Sequence, residues 1–287
     1  MMDIKKSIDE KTVKKIFSSR SNAEKYLERL SKLNKDSLLN NKFNKKRYWE
    51  KAIVDSWNYK SGLKIIREMF KETEKYKNGK NAESLYQELI KRWDTSKLGP
   101  IKWPCSQGQF ETLVQEINNQ NGLDDKEKDK KVELAAVQYR RMKELNTARN
   151  DFMETEIFER NSEILPTLAH RRGTDYFIEG EAFDQKVAAS PTTQFQKKYG
   201  ENWREQAKTH PEEVAKYLYE YQSEERFGSE PRLLIVYLDQ DVSLERIKAA
   251  LNDLDFSKPI ELEFDFKHKA GIKKYKTKCF VILLSNS

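Results

Sequence analysis

Residues 174–188 of the chain, TDYFIEGEAFDQKVA, decide the predicted fold because they read as two short strands around a Glu179-Gly180 turn. Glycine at the second turn position suits the tight turns that two-residue β-hairpins prefer. The register set by such a turn places Asp175 directly across from Asp184. The sequence therefore predicts a β-hairpin in which two carboxylates face each other.

Opposed Cβ atoms of an antiparallel pair lie about 4.5–5.5 Å apart, and like charges at that distance are destabilising. A divalent cation bound between Asp175 and Asp184 would remove this repulsion. Strand alternation puts Lys186 on the same face as Asp184. The same residues also occur by chance on exposed strand faces, where an Asp184–Lys186 ion pair would contribute little.

Two acids and an amine on one face suit phosphodiester hydrolysis. A hard cation held by oxygen ligands activates water and neutralises the charge that develops on the phosphate. We therefore expect Asp175, Asp184 and the backbone carbonyl of Gln185 to bind Mg²⁺. Lys186 would orient the water or stabilise the developing charge.

This arrangement resembles the signature of the PD-(D/E)xK nuclease superfamily. The segment ILPTLAHRRGTDYFIEGEAFDQKVA (164–188) is similar to the catalytic core of a type II restriction endonuclease. The resemblance covers about residues 150–240, in the order helix, hairpin, helix and strand. Thr174 departs from it, because the family motif has proline at that position.

The resemblance implies an enzyme that cuts double-stranded DNA at specific sequences. It implies Mg²⁺ as the cofactor and a homodimer with one active site for each strand. A cognate DNA methyltransferase would belong to the same restriction system without being a stable partner. Members of the family often add an acid from the preceding helix, and Glu163 and Glu156 are the candidates, although either could be a solvated surface acid.

Two further groups of residues are candidate DNA contacts. His170, Arg171 and Arg172 precede Asp175 and could bind phosphates, since arginine offers paired donors to phosphate oxygens. A basic patch paired with nearby acids would explain them equally well. Polar side chains that follow the second strand could also contact DNA, or could form a plain loop: Thr192, Thr193 and Gln194.

Outside the hairpin the chain divides into two predicted parts. Residues 1–130 have helical spacing of apolar residues and are assigned to DNA recognition or dimerisation. Residues 131–287 are predicted to form an α/β catalytic core, with a mixed β-sheet flanked by helices. The last two predicted strands, 260–266 and 278–284, form a hairpin rich in lysine. That hairpin could enter a DNA groove, or the lysines could protect a sheet edge.

Composition restricts the possible function. The formal net charge is +7 and charged residues make up 35% of the chain, which favours a polyanionic partner such as nucleic acid. No apolar run approaches the roughly 20 residues of a membrane span, and the N-terminus lacks a secretory apolar region. We therefore expect a cytoplasmic protein without a membrane partner. With three histidines and two cysteines, a zinc site is not expected.

Two alternative functions remain open from the sequence. One is a repair-type or transposon-type nuclease built on the same core. The other is a DNA-binding protein without catalytic activity, for which retention of the Asp175, Asp184 and Lys186 set would have no purpose.

Overall fold

The computed structural model describes most of the chain, in seven ranges: 3–34, 49–96, 107–169, 173–221, 229–239, 242–268 and 271–286. The contacts divide it into two compact units. One unit combines Met1–Lys75 with Glu156–Ser287, and the other is Tyr76–Thr155. The boundary predicted at residue 130 falls instead inside one long helix, Asp125–Arg160.

The N-terminal part is helical, as predicted. Its helices are α1 (Glu10–Phe17), α2 (Arg20–Asn34), α3 (Trp49–Asp55), α4 (Tyr59–Lys71), α5 (Glu74–Ser96), α6 (Gln107–Asn118) and α7 (Asp125–Arg160). Side-chain caps fix several of their starts. The Asp9 carboxylate accepts the Thr12 N–H ahead of α1, and the Asn58 amide oxygen accepts the Ser61 N–H ahead of α4.

The end of α7 is held by an arginine from α4. The Arg67 guanidinium donates to the backbone carbonyls of Phe158, Asn161 and Ile164 at 2.6–2.9 Å. Carbonyls at a helix C-terminus lack helical partners, so a cation there satisfies them. Arg67 also lies 4.0 Å from the Phe158 ring centroid, which fixes the place where the chain turns towards the sheet.

In the unit Tyr76–Thr155, α5 and α7 approach closely. A Cβ added to Gly79 would lie 1.7 Å from Thr155 Oγ1 and 2.8 Å from the Asp151 carbonyl oxygen. Further along the same helices, the rings of Tyr86 and Phe152 lie 6.3 Å apart. Glycine at position 79 therefore sets the separation of the two helices.

The remaining elements form an α/β arrangement. They are β1 (Leu165–Pro166), β2 (Tyr176–Ile178), β3 (Glu181–Ala188), α8 (Thr193–Tyr199), α9 (Trp203–Thr209), α10 (Pro211–Glu220), β4 (Arg232–Tyr237), α11 (Leu244–Asn252), β5 (Ile260–His268) and β6 (Gly271–Leu284). The strands make one six-stranded sheet in the order β1-β2-β3-β4-β6-β5. Since β4 runs parallel to β3 and β6 while the other pairs are antiparallel, the sheet is mixed, as predicted.

The sheet is covered on both faces. On one face Phe195 of α8 and Val214 and Tyr219 of α10 pack with Leu234 and other apolar residues of the sheet. On the opposite face the rings of Phe183 and Phe280 lie 5.1 Å apart, and the ring of Phe256, which follows α11, lies 5.4 Å from that of Phe280. β4 is buried throughout, which explains its continuous apolar sequence RLLIVY.

Two elements were not predicted. The short strand β1 pairs with β2, and α8 occupies a stretch whose start was interpreted as a possible loop. The Thr192 hydroxyl accepts the Phe195 N–H at 3.2 Å and begins α8. None of the helices in the described part of the chain combines the length and apolar composition that a bilayer-spanning helix requires.

Candidate functional site

The site is built on the tight turn between β2 and β3. Glu179 has φ 51° and Gly180 has φ 86°, the two positive values that define a type I′ turn. Ile178 is opposite Glu181, as a two-residue turn requires. The N-terminal segment covers the turn, because the Ile4 N–H donates to the Gly180 carbonyl at 2.9 Å.

Asp175 lies where the ladder between β2 and β3 ends. The last regular pair is Tyr176 with Phe183, and the Asp175 N–H then donates to the Phe183 carbonyl at 2.9 Å. The Asp175 carboxylate accepts the Gln185 N–H at 2.7 Å. Asp175 is therefore fixed to β3 by both its backbone and its side chain, and the predicted regular pairing with Asp184 is replaced by this contact.

The Gln185 carbonyl is suitably placed for the predicted ligand role. The N–H and C=O of a strand residue point towards the same edge, so this carbonyl faces the side on which Asp175 lies. The Gln185 side chain points to the other face, where its Oε1 accepts the Tyr176 hydroxyl at 2.9 Å. Only the backbone of Gln185 is thus available to the acids.

The pKa of the Asp184 carboxyl departs strongly from its ordinary value. Burial, followed by the negative charge of Asp175, raises the pKa of Asp184 to about 6. Glu230 also raises it, while Arg232 and Lys186 oppose the shift. A buried acid beside a second acid is typical of sites that bind cations or transfer protons.

Lys186 completes the predicted set. It lies two residues beyond Asp184 on β3, so its side chain shares the face of Asp184. Its half-buried position and its effect on the pKa of Asp184 place the ammonium within electrostatic range of that carboxyl. The structure therefore brings Asp175, Asp184 and Lys186 together.

Two charged residues from the start of β4 join the site and were not predicted. Arg232 is the register partner of Asp184 and is fully buried. Glu230 is exposed, and its Oε2 lies 3.0 Å from the position of a Cβ on Gly173, close to the start of the hairpin. In the sequence, Glu230 and Arg232 flank Pro231 ahead of an apolar strand. This pattern does not show which strand lies beside β4.

A lysine from α1 also reaches the hairpin. The Lys15 ammonium donates to the Thr174 hydroxyl at 3.0 Å, and Thr174 is the residue before Asp175. Thr174 stands where the family motif has proline, and its buried hydroxyl is used in this contact. Lys15 therefore brings a second amine to the neighbourhood of the acids.

Of the two candidate acids expected on the preceding helix, Glu156 lies on α7, whereas Glu163 lies beyond the end of α7 at Arg160. Glu156 forms an ion pair with Arg160 at 2.5 Å on its own helix. Glu163 is exposed, and its charge acts on Tyr59 and Arg67. Within the described ranges, no three side chains among His, Cys, Asp and Glu are grouped so that they could hold a metal ion. The hard oxygen donors at hand are the two aspartates and the Gln185 carbonyl, a set that magnesium accepts together with water.

The candidate DNA contacts have mixed outcomes. His170, Arg171 and Arg172 lie outside the described residues. Thr192 uses its hydroxyl as the cap of α8, while Thr193 and Gln194 are exposed in the first turn of that helix.

The lysines of the β5–β6 hairpin largely face acids. Cross-strand pairs join Glu261 to Lys278, Glu263 to Lys276 and Asp265 to Lys274. Opposite charges across a strand pair favour the register and offset the positive charge. Because β5 is the edge of the sheet, this pattern favours edge protection over a basic groove-binding tip.

Comparison with known proteins gave no match: the chain fits no family model, no curated protein and no solved structure.

Proposed function

We propose that this protein is a Mg²⁺-dependent endonuclease that hydrolyses phosphodiester bonds of double-stranded DNA, in the manner of a type II restriction enzyme. The observation that carries the proposal is the juxtaposition of Asp175 and Asp184, with Lys186 on the same strand face. Two ionised carboxylates placed together repel each other unless a cation binds between them or one of them takes up a proton. Their proximity therefore supports a cation-binding role.

In this mechanism Asp175 and Asp184 hold Mg²⁺ together with the Gln185 carbonyl. The bound ion would supply an activated water and neutralise charge on the phosphate. The hydrogen bond from the Gln185 N–H keeps the Asp175 carboxylate in place. Lys186 donates to a phosphate oxygen or to the attacking water, which stabilises the charge that develops in the transition state.

The substrate and assembly follow from the same proposal. A net charge of +7 favours association with DNA phosphates. Cutting both strands of a symmetric site requires two copies of the active site, so a homodimer is proposed. A restriction role further requires a cognate methyltransferase to protect the host DNA, and it places the protein in the cytoplasm.

Incubation of the full chain with plasmid and phage DNA tests the proposal. Discrete fragments with Mg²⁺, and none with EDTA, are expected from the wild-type protein. Asp184→Asn and Lys186→Met should each abolish cleavage, while the exposed control Glu201→Gln should cut normally. A smear of products would favour a nonspecific repair-type or transposon-type nuclease on the same core, and intact DNA throughout would reject catalysis.

A second candidate function is a DNA-binding protein without catalytic activity. The buried Arg232 favours it, because a guanidinium beside Asp184 can serve as a purely structural counter-charge. Such a protein would retard DNA in a gel with EDTA present, and Asp184→Asn would leave that binding unchanged.

A further inference from the structure

Arg232 occupies a special position beside the proposed metal ligands. In the parallel pairing of β3 and β4, Arg232 is the direct partner of Asp184, so the two side chains project from the same face of the sheet. The backbone is tied at the same point, because the Asp184 N–H donates to the Pro231 carbonyl at 3.0 Å. The exposed fraction of Arg232 is 0%.

The covering helix holds the guanidinium from the other side. The Arg232 guanidinium carbon lies 4.9 Å from the ring centroid of Tyr219, a fully buried residue of α10. The Tyr219 hydroxyl donates to the Glu230 carbonyl at 2.9 Å, which fixes the ring against the start of β4. Arg232 is therefore enclosed between the sheet and α10, on the face of the sheet from which Asp184 projects.

The charges around Arg232 are those of the site. Asp184 and Glu230 are the carboxylates that act on it, and its register partner on β6 is Cys279, whose pKa is raised to about 12 by burial. A buried guanidinium is costly unless an opposite charge compensates it. Arginine cannot lose its proton under ordinary conditions, so its positive charge is permanent.

We propose that Arg232 is a positioning residue, which holds the Asp184 carboxylate from the inner side so that its outer side is presented to the metal ion. This inference rests on the proposed nuclease function, because it assigns a role towards the same metal. The permanent charge allows Asp175 and Asp184 to remain side by side before a cation binds.

The direction in which Mg²⁺ affinity changes when Arg232 is replaced separates positioning from simple electrostatics. Removing a positive charge near a metal site should strengthen cation binding if only Coulomb forces act. Positioning predicts the opposite result, because a carboxylate that has lost its support no longer points at the ion. A planar guanidinium also directs a carboxylate in a way that a lysine ammonium does not.

The test measures Mg²⁺ affinity of the full chain without DNA, by isothermal titration calorimetry. Arg232→Met should lower the affinity about tenfold or more, a typical cost of losing a partner that orients a metal ligand. Arg232→Lys retains the charge and should still lose part of the affinity. Arg204→Met, which removes a half-exposed arginine paired with Asp239, is the matched control and should bind Mg²⁺ as wild type does.

Thermal unfolding of each variant identifies those that fold. Folded Arg232→Met or Arg232→Lys protein with unchanged or increased Mg²⁺ affinity would overturn the positioning role while leaving the proposed nuclease intact. If Arg232→Met does not fold, Arg232→Lys alone decides between the two outcomes. A wild-type protein that takes up no Mg²⁺ would overturn the proposed function, and this inference with it.

Discussion

The buried carboxyl of Asp184 links the stability of the fold to pH. Burial raises its pKa from 3.8 to about 6 in the folded chain. Between these values the folded state binds more protons than the unfolded state, so stability falls as pH rises from about 4 to about 6 and stays reduced above that. In EDTA at pH 7.5, Asp184→Asn should therefore be more stable than wild type by about 1–3 kcal/mol.

Urea unfolding at pH 3.5 and pH 7.5 measures this difference. Most of the gain of Asp184→Asn should disappear at the lower pH, where the wild-type carboxyl is protonated in the folded state and largely protonated in the unfolded state. Glu201→Gln, which changes an exposed acid, should show no comparable pH dependence. A variant less stable than wild type at pH 7.5 would show that the ionised carboxylate stabilises the fold.

The turn that orients the hairpin can be tested at its two central residues. A Cβ on Gly180 would lie 2.1 Å from Asp3 Oδ1, at a backbone φ that L-residues disfavour. Gly180→Ala should therefore lower the free energy of unfolding by about 1–3 kcal/mol. Glu179→Asn should raise it by about 0.5–1 kcal/mol, because asparagine tolerates the left-handed region better. Both are measured by urea unfolding, and equal stabilities of the two variants would contradict the turn assignment.

Single-residue features were predictable where they depend on neighbours in sequence. The two-residue turn fixed the register of β2 and β3, and alternation fixed the shared face of Asp184 and Lys186. The partnership of Asp184 with Arg232 was not predictable, because it depends on which distant strand lies alongside β3. The ion pair of Glu156 with Arg160 joins neighbours on one helix, but the sequence alone did not show that Glu156 would form it.

In the α/β part of the chain, proline marks two element boundaries in the sequence. His210-Pro211 separates α9 from α10, and Pro231 precedes the buried strand β4. The helix α8 was missed because its start, Ser190-Pro191-Thr192, has the composition of a loop. A threonine that caps a helix and a threonine in a loop cannot be distinguished by the local sequence, because both positions favour the same residue types.

The close approach of α5 and α7 predicts opposite effects of one substitution at two helical glycines. Alanine normally stabilises a helix relative to glycine by up to about 1 kcal/mol. At Gly79 the added methyl would collide with Thr155 and with the Asp151 backbone, so Gly79→Ala should destabilise by about 1–3 kcal/mol. At Gly108 in α6 no atom of the described residues lies within 4 Å of an added Cβ, so Gly108→Ala should be neutral or stabilising.

Circular dichroism during thermal unfolding compares these two variants. A lower midpoint for Gly79→Ala and an equal or higher one for Gly108→Ala are expected. If the unfolding midpoints of both variants rise, α5 and α7 lie further apart than in the structure. Thr155→Ala should rescue Gly79→Ala only in part, because the Asp151 carbonyl oxygen remains 2.8 Å away.

The division of the chain into units could not be predicted from periodicity. α7 spans 36 residues without a break in its helical pattern, yet the boundary between the units lies within it, at residue 155. Only contacts between distant segments reveal that Met1–Lys75 belongs with Glu156–Ser287. The predicted boundary at residue 130 treated the two parts as consecutive stretches of the chain.

A shortened chain tests whether the site needs the helical unit. The unit that combines the two ends of the chain contains Asp175, Asp184, Lys186 and Arg232. In the other unit, α5 and α7, the two helices that a linker would join, lie close together. Replacing residues 90–148 with a short Gly/Ser linker should therefore leave Mg²⁺ affinity within about twofold of wild type, since distant and independent sites are nearly additive. Sequence-specific cleavage should be lost if the removed helices recognise DNA or form the dimer. Calorimetry, with Asp184→Asn in the shortened chain as the control, measures the first outcome. Folded protein that no longer binds Mg²⁺ would show that the site depends on the helical unit.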